Sequence, residues 1–131
     1  MTEYSRCMLT LLTIVNQVKL YHWQTLSFAR HKATDDLYSN LSDLVDKFIE
    51  VLHGIIIIES GNKNFRIQLS ENSISIMNFS DTKGIDLLIN IKNYLNSNEF
   101  NKIISKSTDL INIRDEMLEN VNKSSYLFSL N

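Results

Sequence analysis

Apolar residues recur at spacings of three and four along most of the chain, the mark of helices that bury one face. Met8, Leu11, Leu12, Val15 and Val18 predict a first helix from Thr2 or Glu3 to about Leu26. The same face, continued, reaches His22. Leu37, Leu41, Leu44, Val45, Phe48, Leu52 and Ile55 predict a second helix, starting between Phe28 and His31 and running to about Ile58. Gly61 is placed as its stop, because glycine adopts the left-handed conformation that ends helices. A third helix is read from Thr82 to Leu95 on Ile85, Leu87, Leu88, Ile91 and Leu95. Asn96-Ser97-Asn98 breaks and recaps the chain. A fourth is read from Asn98 to Tyr126 on Phe100, Ile103, Ile104, Leu110, Ile111, Ile113, Met117, Leu118 and Val121.

Between Ser60 and Asp81 the helical period fades. "NFRIQL" and "SISIMNF" alternate apolar and polar residues around "SEN", a pattern compatible with a short hairpin. The other reading is a long connection with one helical turn. Two antiparallel halves of a four-helix bundle need such a crossover at this point.

A length of 131 residues suits one domain, residues 1–131, with one core. Hydrophobic residues make up 44% of the chain, enough to support a packed interior rather than disorder. A formal charge of −2 gives no general attraction to nucleic acid, so no nucleic-acid partner is expected. The single cysteine, Cys7, excludes an internal disulfide and fits a reducing setting; it reads as a small buried apolar residue. The longest apolar run, Ile55 to Ile58, falls far short of the roughly 20 residues that span a membrane. The expectation is an intracellular, soluble protein without a membrane partner.

Polar positions on the second helix change the picture more. At about 100° per residue, His31, Asp35, Asp46, Glu50 and His53 fall within an arc of roughly 100°, well away from the centre of the apolar stripe. A solvated charged face is the ordinary meaning of such an arc. Yet histidines and carboxylates are also the usual ligands of iron, manganese and zinc, and residues three or four apart on a helix converge. Glu50 and His53 form a Glu-x-x-His pair, but a site within one bundle needs a second pair, and the chain has only three histidines. Asp115, Glu116 and Glu119, in "RDEMLEN", read as a solvated face beside Arg114. Tyr21 and Trp23 read as packing residues that shield the first corner.

Segment 21–53 resembles the Dps-like branch of the ferritin superfamily, the mini-ferritins. The resemblance rests on His22-Trp23 at the end of the first helix, on His31 with Asp35 four residues on, and on Asp46 with Glu50 four residues on. The fifteen-residue step from His31 to Asp46 also agrees. The interval from His22 to His31 is shorter than in that family and lacks its glycine and asparagine, so a tighter turn is expected. The corner "YHWQT…ARHKATD" and the stretch "LINIRDEMLENVN" also resemble uncharacterised ferritin-like proteins of phages and large DNA viruses.

The resemblance implies an all-α, ferritin-like four-helix bundle with a long crossover between helices two and three. It further implies a homo-oligomer with twofold contacts. His22, His31 and Asp35 of one chain would face Asp46 and Glu50 of its partner and bind iron, zinc or manganese, with ferroxidase activity as the associated chemistry. The competing expectation is a structural or interaction protein, such as a virion component, that keeps the bundle without the metal chemistry. The locations implied are a host cytoplasm or a virion.

Overall fold

The structure is a computed structural model; it describes residues 2–69 and 74–130. The chain is all-helical, with no strand among the described residues. Helix α1 spans Glu3–Gln24, α2 Phe28–Ser60, α3 Gly84–Leu95, α4 Asn98–Ile104 and α5 Thr108–Phe128, with a 3-10 turn at Asp81–Lys83 ahead of α3.

Local chemistry sets these limits. The Thr2 hydroxyl accepts from the Ser5 N–H and caps α1. Ser27 does the same for Arg30 at the start of α2. Each satisfies a backbone donor that the first helical turn leaves without a partner. Gly61 ends α2 at φ 69°, with its N–H on the Ile57 carbonyl, as the sequence suggests. Between α1 and α2 lie only Thr25, Leu26 and Ser27, the tight turn expected.

Helix α1 packs on α2, α2 on α5, α5 on α3, and α3 back on α1. Neighbours run antiparallel. Asn40 of α2 bonds Asn120 of α5, while Arg30, one end further, lies over Phe128. Lys92 of α3 bonds Asn122, and Arg114 of α5 bonds the Leu95 carbonyl. Gly84 sits against Tyr21 at the far end of α1. Between these helices and α4 lie Leu11, Val18, Tyr21, Leu37, Leu41, Phe48, Leu88, Leu95, Phe100, Leu110 and Met117, all nearly solvent-free.

The connection from α2 to α3 returns along α1 and is held by its side chains. Ser5 donates to the Gln68 carbonyl. Gln17 grips Met77 twice, donating to its carbonyl at 2.7 Å and accepting its N–H at 2.9 Å. Gln24 accepts the Phe79 N–H and donates to the Asn78 side chain. Gln17, Tyr21 and Gln24 share one helical face by their spacing of four and three. The hairpin reading centred on "SEN" has its turn at 70–73, outside the described residues. Its flanks carry no strand pairing; their backbone groups bond helix side chains instead. The described part of the connection has no helical turn; the 3-10 turn at Asp81–Lys83 follows it, at the start read for the third helix.

Three sequence expectations need correction. The fourth helix is two: the chain leaves α4 after Ile104 and restarts at Thr108, with the Ser107 N–H on the Ile104 carbonyl. Ser105-Lys106-Ser107-Thr108-Asp109 offers five polar residues in a row, so a continued helix would have over a turn with nothing to bury. Ile85, read as core, is exposed at the start of α3. Trp23, read as shielding the corner, is 66% exposed, with the Lys19 ammonium 5.4 Å from its ring centre; Tyr21 alone of the two is buried.

Candidate functional site

The three-residue turn brings the end of α1 against the start of α2, and with them two histidines. Their rings stack with centroids 4.0 Å apart and planes 17° from parallel. Each ring reaches the other residue's backbone. His22 Nδ1 is 2.9 Å from the His31 carbonyl, and His31 Nδ1 is 2.9 Å from the His22 carbonyl. A carbonyl only accepts, so both Nδ1 atoms carry the proton and donate. In the neutral imidazoles both Nε2 atoms then keep their lone pairs. This is the outer bonding that fixes a histidine as a metal ligand through Nε2.

Burial separates the two. His22 is 7% exposed, and its Nδ1–H is also 3.1 Å from the Thr34 hydroxyl. Thr34 is fully buried and donates to the Arg30 carbonyl. The core-facing position read for His22 is therefore correct. His31 stands on the exposed face of α2. Asp35, one turn on, is exposed too, on the same side of the helix.

Asp46 and Glu50 are brought together by the same one-turn spacing. Both are exposed. The Asp46 carboxylate, in hydrogen-bonding reach of Glu50, raises the Glu50 pKa, since a proton shared between them relieves their repulsion. The step from His31 to Asp46 amounts to about 22 Å along the helix axis at about 1.5 Å per residue. One chain therefore holds a histidine pair, with Asp35 one turn beyond His31, and a carboxylate pair that do not meet. Among the described residues, no three histidine, cysteine or acidic side chains converge as a metal-holding group.

His53, on the same arc, is not available. Its Nδ1–H donates to the Ile49 carbonyl at 2.8 Å, and its Nε2 accepts the Ile67 N–H at 3.0 Å. Both nitrogens are used to hold the start of the crossover, so the Glu-x-x-His spacing of Glu50 and His53 is structural. The Cys7 thiol, 1% exposed, is pushed up to about 12 by burial, which keeps it protonated and unreactive.

Sequence reasoning missed the residues that tie this corner to the crossover. Asp81 accepts from the hydroxyls of Tyr21 (2.7 Å) and Thr25 (2.6 Å) and from the Leu26 N–H (2.9 Å). Arg30 donates to the Asp81 carbonyl (2.6 Å) and to the Tyr21 hydroxyl (2.9 Å). Burial alone would raise the Asp81 carboxyl. The Thr25, Tyr21 and Leu26 donors, with the Arg30 charge, outweigh it and hold the group below its usual range. An aspartate opening a helical turn ordinarily reads as a cap, so nothing local marks Asp81 as reaching back to the first corner.

No helix among the described residues is long and apolar enough to cross a membrane. In comparisons with known proteins, no curated protein and no solved structure matches the chain. A family model does match, over residues 22–128, from the buried histidine of the corner to the last residue of α5. The chain therefore belongs to the family described as Family of unknown function (DUF5856).

Proposed function

We propose that the protein is a ferritin-like four-helix bundle that binds divalent iron, as a substrate for oxidation, or another divalent metal such as zinc or manganese, between two subunits. His22, His31 and Asp35 of one chain are the ligands on one side, and the partner's Asp46 and Glu50 those on the other. The observation that carries this reading is the histidine pair, with both Nδ1 atoms committed to carbonyls and both Nε2 lone pairs left for a ligand. Supporting the fold are four antiparallel neighbours and a connection that returns the full length of α1 before α3 begins.

The positions on α2 support a twofold partner. His31 with Glu50, and Asp35 with Asp46, share one midpoint, between Asn40 and Leu41. A second α2 crossing antiparallel there sets His31 opposite the partner's Glu50 and Asp35 opposite the partner's Asp46. On that face the crossing falls at Ser39 and Ser42, whose small side chains allow close approach. Beside it runs a largely apolar cleft of about 280 Å³ between α1 and α2, lined by Met8, Leu12, Val15, Val45 and Ile49 and edged by Ser42 and Asp46. A symmetric partner would cover it.

Asp35, with the partner's Asp46 and Glu50, would supply the carboxylates that hold the metal and neutralise its charge.

A second reading, a structural or interaction protein without metal chemistry, is favoured by one observation: no three candidate ligands meet among the described residues of a single chain. Anaerobic calorimetric titration with Fe(II), paired with sedimentation, separates the two. Saturable binding at micromolar metal by a dimer or larger assembly is the expected result. Absence of saturable binding by Fe(II) and Zn(II) would leave the histidine corner as architecture and the structural reading in its place.

A further inference from the structure

The turn that fixes the distance between His22 and His31 is only three residues long, and two of those residues are held from outside. Asp81 takes the Thr25 hydroxyl on one carboxylate oxygen and the Leu26 N–H on the other. The third, Ser27, is held from within, its N–H on the Thr25 hydroxyl and its own hydroxyl capping α2. On the far side of the turn, Arg30 binds the Asp81 carbonyl, so one residue of the crossover grips both helices that carry the histidines.

A second observation points the same way. Gly84, three residues on, is buried against this cluster. A Cβ added there would overlap the Tyr21 hydroxyl and the Arg30 guanidinium. Its φ is helical, so the glycine answers a need for space and not for backbone freedom. The start of α3 is thus pressed directly onto the two side chains that complete the Asp81 cluster.

From this geometry we propose that Asp81 is the positioning residue of the histidine pair: docking of the crossover's end at the corner sets the imidazole stack and its tautomers. The reciprocal bonds between rings and carbonyls need the end of α1 and the first turn of α2 at one separation. An imidazole in water prefers its proton on Nε2, the tautomer that would occupy the lone pair a metal requires. The Nδ1–H form persists because the opposing carbonyls are held in reach, and Asp81 holds them. This inference rests on the metal-site reading for its functional meaning, but the imidazole geometry itself can be tested without metal.

Nitrogen-edited NMR of the metal-free protein reads the ring tautomers directly. In the wild type, His22 and His31 are expected as Nδ1–H tautomers with ring protons slow to exchange. In Asp81→Ala, the His31 ring proton should exchange at least about tenfold faster and its tautomer shift toward Nε2–H, with helicity retained. Zn(II) affinity should fall about tenfold, the low end of what loss of outer support to a ligand costs. Asp81→Asn keeps one carbonyl acceptor and should lie between; it carries the test if the alanine variant fails to fold. Asp86→Ala, on the exposed face of α3, should change nothing. Unchanged ring tautomers and exchange in Asp81→Ala and Asp81→Asn would overturn the proposal, whatever the metal affinity does. If the rings respond but the wild type binds no metal, the positioning role stands and the metal-site reading falls.

Discussion

The two ends of the histidine- and carboxylate-bearing face of α2 are built differently. At the corner, His22 and His31 are stacked and bonded to backbone, with Thr34 against His22 and with Tyr21, Arg30 and Asp81 bonded to one another at the same turn. Some 22 Å along the helix, Asp46 and Glu50 stand exposed and push against each other. The first cluster makes sense without any ligand, because its bonds already stabilise the turn. The second gains nothing from the fold of its own chain. Two exposed carboxylates in hydrogen-bonding reach are relieved by a proton, a cation or the surrounding solvent. The acidic end is therefore shaped by solvent and pH, whereas the histidine end is fixed by its own chain.

The largest expected effect removes the less structured half. Asp46→Ala with Glu50→Ala should lower Fe(II) or Zn(II) affinity by at least about a hundredfold, as read by titration, while circular dichroism shows helicity intact. The same repulsion has a pH signature. Glu50 is raised by Asp46, so its proton is held more tightly in the folded chain than in the unfolded one. The metal-free protein should therefore lose a little stability as pH rises from the usual glutamate range through the raised value. Metal affinity should climb over the same window, because the cation displaces that proton. In Asp46→Asn both trends should flatten. Equal metal affinity in the double variant and the wild type would make the acidic pair an ordinary solvated face.

A middle-sized effect separates the two histidines. His22→Ala leaves the Thr34 hydroxyl and the His31 carbonyl short of a buried donor, and should cost about 1–3 kcal/mol in thermal or denaturant unfolding. His31→Ala, on the exposed side of the stack, should cost less than half of that. Both should weaken metal binding alike. Equal stability costs for the two would mean that the corner does not depend on His22 as the buried member.

The smallest effect on the site should come from the third histidine. His53→Ala frees the buried Ile67 N–H from its acceptor and should destabilise the chain by about 1–2 kcal/mol. Metal affinity should remain within twofold of the wild type. A larger loss of affinity would add His53 to the ligand set.

What the sequence discloses about this molecule depends on how far a cause lies from its effect. The helix stripes, the Gly61 stop and the core-facing His22 follow from neighbours within a turn or two, and they read correctly. The division into α4 and α5 was also signalled locally, by five polar residues between Ile104 and Leu110, but the long apolar period on either side masked it. Ile85 fits the stripe of α3 by spacing and yet stands exposed. The stacked histidines lie further from inspection. Their distance depends on a turn that is held by Asp81, more than fifty residues downstream. His53 is similar: its place on the polar arc says nothing of its bond to Ile67, which lies in a segment with no helical period.

The grip of α1 on the crossover carries a consequence for how this segment can vary. Gln17 holds the N–H and carbonyl of Met77, Gln24 holds the N–H of Phe79, and Ser5 holds the carbonyl of Gln68. These are main-chain atoms, which every residue except proline presents alike. These grips fix the length of the segment, while its composition is held at the buried Ile67 and Phe79 and at Asn78, whose side chain bonds Gln24. Met77, at 62% exposure, is free to vary, whereas one residue gained or lost between Met77 and Asp81 would bring the wrong atoms to Gln24 and Tyr21. The absence of proline from the whole chain fits that constraint at both positions where α1 takes a backbone N–H.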